Sequence, residues 1–197
     1  MSVLVLFTQH MKITLLGTGT STGIPKIGCS CPVCTSPNKK DKRMRCSALI
    51  ETNHTRILID VTPDFRMQML PLPFKPIDGV LLTHEHYDHV GGIDDLRPFG
   101  RFGAIDIYAE QNVCNALMSR IPYCFAVNPY RGVPNLNLQV INTTSFHIDG
   151  IKITPIPVMH HRLPILGYRI GNFAYLTDVK TVPPKELKKL TQLDVLI

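Results

Sequence analysis

Six consecutive residues, His84-Glu85-His86-Tyr87-Asp88-His89, include four side chains, His84, His86, Asp88 and His89, spaced to hold metal ions. They follow the apolar run Gly79-Val80-Leu81-Leu82 and precede Gly91-Gly92. In an extended segment leaving a strand, side chains two apart share a face, so His84 and His86 are placed to grip one ion. Asp88 and His89 project from the following turn, placed to grip a second. Imidazole and carboxylate suit zinc, manganese and iron, and two ions on one loop would stand about 3.5–4 Å apart, the spacing that clamps the attacking and leaving oxygens of a hydrolytic displacement. The pattern is that of a dinuclear metallohydrolase. A solvated, metal-scavenging loop would show the same residue types without a buried strand feeding in and paired glycines behind.

A second set is Cys29-Ser30-Cys31-Pro32-Val33-Cys34, too tightly spaced to pair easily within itself. With no secretory signal, thiolate metal binding is the better reading, and three sulfurs make most of a four-ligand structural zinc site. Cys46, Cys114, Cys124 and any histidine are candidates for the fourth ligand. Cys114 and Cys124 read rather as buried apolar fillers.

The formal charge of +6 favours an anionic substrate such as a phosphate ester, although the basic residues are spread along the chain. The densest run, Lys39-Lys40-Asp41-Lys42-Arg43-Met44-Arg45, reads as a solvated loop, and nucleic acid is not the favoured partner. With 44% hydrophobic residues in 197, the chain suits one sizeable core. No run approaches the roughly 18 apolar residues that a membrane span needs. Met1-Ser2-Val3-Leu4-Val5-Leu6-Phe7 lacks a basic start and a cleavage site, so no signal peptide is read and a cytoplasmic location is expected. Residues 1–10 are expected as an N-terminal extension and 11–197 as one domain.

The elements that must carry these groups follow from periodicity and punctuation. Lys12–Leu16 reads as a strand entering Gly17-Thr18-Gly19-Thr20-Ser21-Thr22-Gly23, a loop equally consistent with an anion cradle and a simple turn. Ser47–Glu51 and Arg56–Asp60 read as strands joined at Thr52-Asn53-His54. Thr62 is the expected cap of a short helix through Leu70, with Pro63 in its first turn. Gly79–Leu82 delivers the metal loop and a short helix follows Gly92. Ile105–Ala109, Leu136–Ile141, Lys152–Pro155, Leu166–Ile170 and Phe173–Thr177 read as strands, Gln111–Arg120 and Pro183–Leu190 as helices. Leu193–Ile197 begins one more strand and ends in an apolar run, so a further C-terminal portion is expected.

With these residues in place, the chain resembles the metallo-β-lactamase superfamily, in the branch of the phosphonate-pathway cyclic phosphodiesterase and, more distantly, the tRNA 3′-end endonucleases. The likeness is carried by Thr18-Gly19-Thr20, the Cys29/Cys31/Cys34 loop, Leu58-Ile59-Asp60, and Thr83 through Gly92. It continues in Pro155-Ile156-Pro157-Val158-Met159-His160, Gly167-Tyr168 and Tyr175-Leu176-Thr177-Asp178. It implies a four-layer αββα sandwich, α/β in class, with metals at one edge between the sheet ends. It implies that His84, His86 and His160 hold one ion, that Asp88 and His89 hold a second, and that Asp178 bridges both. A further histidine on the second ion and the fourth zinc ligand normally come from a segment beyond the last strand.

Asp60 is expected to orient a ligand histidine through its second nitrogen, and His161 to contact substrate or donate a proton. His10, His54 and His147 read as surface or packing residues. The expected function is a two-metal (zinc or manganese) phosphodiesterase acting on a small cyclic phosphate of the ribose type, with Asp88 and Asp178 holding or deprotonating the attacking water. A tRNA 3′-processing endoribonuclease and an inactive metal-binding scaffold are the competing readings. The open final strand invites pairing with another chain, so a homodimer or soluble aggregates are expected, and no membrane partner is expected.

Overall fold

The computed structural model describes residues 4–7, 11–126, 128 and 130–197; His10 lies outside the described residues. Short β-branched runs between Asn, Gly and Pro turns become two sheets. The first has seven strands in chain order: β1 (Leu4–Phe7), β2 (Lys12–Gly17), β3 (Ser47–Glu51), β4 (Arg56–Ile59), β5 (Gly79–Leu81), β6 (Ile105–Ala109) and β7 (Leu136–Val140). β1 to β4 are antiparallel neighbours and β4 to β7 run parallel. The second sheet holds β8 (Phe146–Ile148), β9 (Ile151–His160), β10 (Leu163–Ile170), β11 (Phe173–Tyr175) and β12 (Val195–Leu196), ordered β12-β11-β10-β9-β8. Residues Leu4–Phe7, expected as an extension, thus form an edge strand paired with β2.

Strand alternation sorts the apolar residues into layers. Ala48, Ile50, Ile57 and Ile59 meet Leu166, Tyr168, Ile170 and Phe173 between the sheets. Leu49, Leu58 and Val80 turn to the opposite face, under α1 (Phe65–Met69), α2 (Tyr87–Val90), α3 (Gln111–Arg120) and the 3₁₀ segment Ile93–Phe102. Outside the second sheet, Ile156, Val158, Ile165 and Ala174 receive Val182 and Leu190, the latter from the segment Pro184–Leu190. These are the four layers of the expected α/β sandwich, although the last is 3₁₀ rather than α-helical. Cys114 and Cys124 are buried fillers, as expected.

Local chemistry moves several boundaries. The helix expected from Pro63 begins at Phe65, because Thr62 Oγ accepts from the Asp64 N–H at 3.1 Å and spends its own proton on Gln68. Residue 155 is not a strand end: β9 continues to His160. Pro155 and Pro157 are tolerated because β8 covers only Ile151–Ile153 of that edge, beyond which a missing N–H leaves no ladder bond unmade. The Pro155 carbonyl faces that open edge and accepts from Lys189 Nζ at 2.8 Å. The glycine loop is a close-packed turn rather than an anion cradle. A Cβ on Gly17 would stand 1.9 Å from the Arg45 carbonyl oxygen, and the Gly19 and Gly23 N–H groups are already bonded to Met44 and Thr20.

Candidate metal centre

Both sheets grip the loop that leaves β5. The Leu82 N–H donates to the Tyr108 carbonyl at 3.0 Å, while the Leu82 carbonyl accepts from the fully buried Tyr168 hydroxyl at 2.6 Å. One residue on, the Thr83 carbonyl accepts from the Leu166 N–H at 3.1 Å. The far end of the loop is pinned as firmly, by Val61 N–H to the His89 carbonyl at 2.8 Å and Gly92 N–H to the Val61 carbonyl at 2.9 Å. Only glycine fits at 92, since a Cβ there would lie 2.0 Å from the Thr62 carbonyl oxygen.

The side chains this loop presents converge with two from the second sheet. The imidazole centroids of His84, His86 and His160 form a triangle with sides of 4.5, 5.3 and 5.6 Å. Donor atoms of these three and of Asp178 lie within 4.8 Å of one another, as do those of Asp88, His89 and Asp178. Asp178 belongs to both groups: its Oδ2 is 3.6 Å from His84 Nε2, 3.2 Å from His89 Nε2 and 3.8 Å from His160 Nε2. His84 Nε2 is buried and has no hydrogen-bond partner. An orphaned ring nitrogen aimed at a shared carboxylate is a cost to the fold unless something binds it. A divalent cation fits both that need and the mixed imidazole and carboxylate donor set.

Asp60 fixes the rings. It is fully buried, with φ of 60°, a conformation rare outside glycine and retained where the surroundings over-determine it. Its carboxylate accepts from His89 Nδ1 at 2.7 Å, from the Thr83 N–H at 2.9 Å, and from the Thr83 hydroxyl at 2.9 Å. Having given its proton to Asp60, the Thr83 oxygen is left to accept from His84 Nδ1, 3.0 Å away. Both histidines therefore carry hydrogen on Nδ1 and turn Nε2 toward the cluster. The expected orienting role of Asp60 thus falls on His89 directly and on His84 through Thr83, a relay not foreseen from sequence.

The charges are set by the same neighbours. Burial, aided by His89, lowers the His84 pKa to about 4, keeping the ring neutral as a ligand must be. Burial also pushes His89 down, but Asp60, Asp178 and Asp88 outweigh it and raise its pKa to about 12, so a cation there must displace a proton. The His89 hydrogen bond lowers Asp88 to about 2 and holds Asp178 below the usual carboxylate range. His161 belongs to neither group of converging donor atoms; it is exposed in the turn between β9 and β10, with φ of 56°. His54 and His147 are exposed, as expected.

The sulfurs of Cys29, Cys31 and Cys34 also lie within 4.8 Å of one another, on an exposed loop, and all six cysteines are free thiols. Cys46, Cys114 and Cys124, the candidates for a fourth ligand, are not among them. Cys46 Sγ instead donates to the Gly19 carbonyl at 2.9 Å.

Residues 55–197 match the model of the beta-lactamase superfamily domain. A protein named octanoyltransferase from Porphyromonas gingivalis (strain ATCC BAA-308 / W83) is 49% identical over 182 residues, 91% of this chain but 37% of that protein. The crystal structure of a diphosphatase from the PhnP family superposes with a TM-score of 0.88 at 35% identity, covering 98% of this chain and 73% of that one. Human tRNase Z, short form (ELAC1), shares the fold at 18% identity and a TM-score of 0.63, with 93% and 76% of the two chains covered. Among the described residues no helix is long and apolar enough to cross a membrane.

Proposed function

Because the chain belongs to the metallo-β-lactamase superfamily, we propose that it is a metal-dependent phosphoric diester hydrolase acting on a cyclic phosphate of the ribose type. The observation that carries the reading is Asp178 shared between two groups of converging donors, with the buried, unpartnered His84 Nε2 at 3.6 Å from it. His84, His86 and His160 would hold one divalent cation, Asp88 and His89 a second, with Asp178 between them. Zinc and manganese both suit this donor set. Bound cations supply Lewis-acid stabilisation of charge on phosphorus oxygens and acidify a nucleophilic water. The PhnP-family diphosphatase supports phosphorus chemistry at such a centre.

The protein's own groups do the rest. Asp60 and Thr83 hold the Nε2 lone pairs in place, so no reorganisation is needed as charge develops. Asp88 and Asp178 orient the attacking water and take up its proton. His161, exposed beside His160, is the proposed contact or proton donor to the leaving oxygen. Turnover of bis(p-nitrophenyl) phosphate and of a nucleoside 2′,3′-cyclic phosphate, with zinc or manganese and without, tests the reading. Metal-dependent hydrolysis of both is expected; none with either metal at full occupancy sinks it.

A further inference from the structure

The charge of this chain is concentrated in one arm. Between Lys26 and Arg45 stand Lys26, Lys39, Lys40, Lys42, Arg43 and Arg45 against the single acid Asp41, a net +5 out of the chain's +6. The remaining residues are close to neutral. Arg45 is spent on Asp64, at 2.8 Å. Among the described residues, Lys26, Lys39, Lys40, Lys42 and Arg43 form no ion pair.

The arm is folded, and its base lies at the metal centre. Ile24 and Arg43 exchange both backbone hydrogen bonds at 2.8 Å, which brings the Lys26 side of the arm against the Lys42 side. Lys39–Asp41 form a 3₁₀ turn capped by Asn38, whose Oδ1 accepts from the Lys40 N–H at 2.9 Å. Where the arm returns, Gln68 Nε2 donates to the Arg45 carbonyl at 2.9 Å, and the Ser47 hydroxyl bonds the carbonyl of Asp60, also at 2.9 Å. Asp60 is the residue that holds His89. The cationic arm therefore springs from the network that positions the ligands.

We propose that this arm is a docking surface for single-stranded RNA, and that the cyclic phosphate taken by the centre is the 2′,3′-cyclic terminus of an RNA chain. The chemistry at the centre is that of the phosphodiesterase proposed above, on which this docking role rests. Unpaired lysines on a polar arm suit a chain of phosphates, where each neutralised charge releases counterions. An isolated nucleoside cyclic phosphate carries a single charge and would leave the arm unused. From sequence the run reads as a solvated loop; the anchoring of its returning end, at Arg45 and Ser47, beside Asp60 is what changes the reading.

The test uses the full chain and a fluorescein-labelled twelve-nucleotide RNA ending in a 3′-phosphate, which cannot be turned over as a cyclic ester. Binding is followed by anisotropy against salt, in wild type and in Lys39→Ala/Lys40→Ala/Lys42→Ala, none of which belongs to the catalytic machinery. Removing three contacts should make the slope of log K against log salt shallower by about 2, at about 0.7 per phosphate neutralised. Turnover of the same RNA with a cyclic terminus should fall at least tenfold, that of a nucleoside 2′,3′-cyclic phosphate less than twofold. An unchanged slope, or an equal loss on both substrates, overturns the proposal, as does displacement of the RNA by an equally charged polyglutamate peptide at equal concentration, which would assign the arm to an acidic protein. If neither substrate is turned over while RNA binding still depends on the arm, the catalytic reading fails and the docking surface stands.

Discussion

The two groups of converging side chains able to hold a metal in this molecule are built in opposite ways. Around Asp178, the ligands stand at the ends of buried strands; His84 and His89 are almost wholly buried, and each has its ring set by a hydrogen bond from behind. In the cysteine arm the three sulfurs sit on an exposed loop, held by turn bonds such as Cys29 N–H to the Lys26 carbonyl and Thr35 N–H to the Cys31 carbonyl, both at 3.1 Å, and by the Lys26 N–H on Cys34 Sγ at 3.4 Å. One group is set by buried strands and hydrogen bonds from behind its rings. The other is held by the turns of an exposed arm.

The sharpest way to break that contrast is His84→Ala. If the centre is preorganised by an apolar core, the variant should fold normally by circular dichroism yet lose about a thousandfold or more in metal-dependent turnover, the several kcal/mol that a catalytic cation supplies. Unfolding of the variant would show that the ion, not the core, holds this region. Next comes the support behind the rings. Asp60→Asn and Thr83→Val keep size but remove the charge and one acceptor oxygen, or the relay, and each should weaken metal affinity about 10–100-fold in a chelator competition. Thr83→Ser should restore the wild-type value, and a Thr83→Val protein with unaltered affinity would remove the relay.

The Tyr168→Phe variant leaves the Leu82 carbonyl buried without its donor, at a cost of about 1–3 kcal/mol in urea unfolding. The smallest effect belongs to the arm. The Cys34 N–H, with the Cys29 and Cys34 sulfurs, lowers the exposed Cys31 thiol to about 7. A lowered pKa means thiolate at lower pH. In metal-stripped protein, labelling of Cys31 by iodoacetamide should therefore rise through about pH 7, ahead of Cys34, whose thiol lies above its ordinary range. Zinc should protect all three cysteines from labelling.

Much of this was readable from the chain because the signals were local. The turn at Thr52-Asn53-His54 placed β3 and β4 closely, and Gln111–Arg120 came out as α3 to the residue. The placement of His84 through His89 needed only a strand, a loop and a glycine stop. What escaped was long-range. Pro155 and Pro157 look like strand breakers until the open edge beside them is known. Gly17 and Gly19 look like an anion cradle until the Arg43–Arg45 backbone is seen lying against them. Asp60 and Asp178 both sit at positive φ, which no pattern of types announces, and Thr83 gains its meaning from a carboxylate 23 residues away in sequence.

His84, His86, Asp88 and His89 are carried at the edge of the first sheet, His160 and Asp178 at the edge of the second. An ion bound among them is thus a rivet through two plates. Sliding one plate over the other by about 1 Å would spoil distances that coordination tolerates only to about 0.2 Å, so occupancy gauges how well the sandwich is closed. The linkage runs both ways: metal at a hundred times its dissociation constant adds about 2.7 kcal/mol to the folded state, and a mutation in the inter-sheet core, at Ile57 or Phe173, far from any ligand, registers as weaker metal binding before it registers as unfolding.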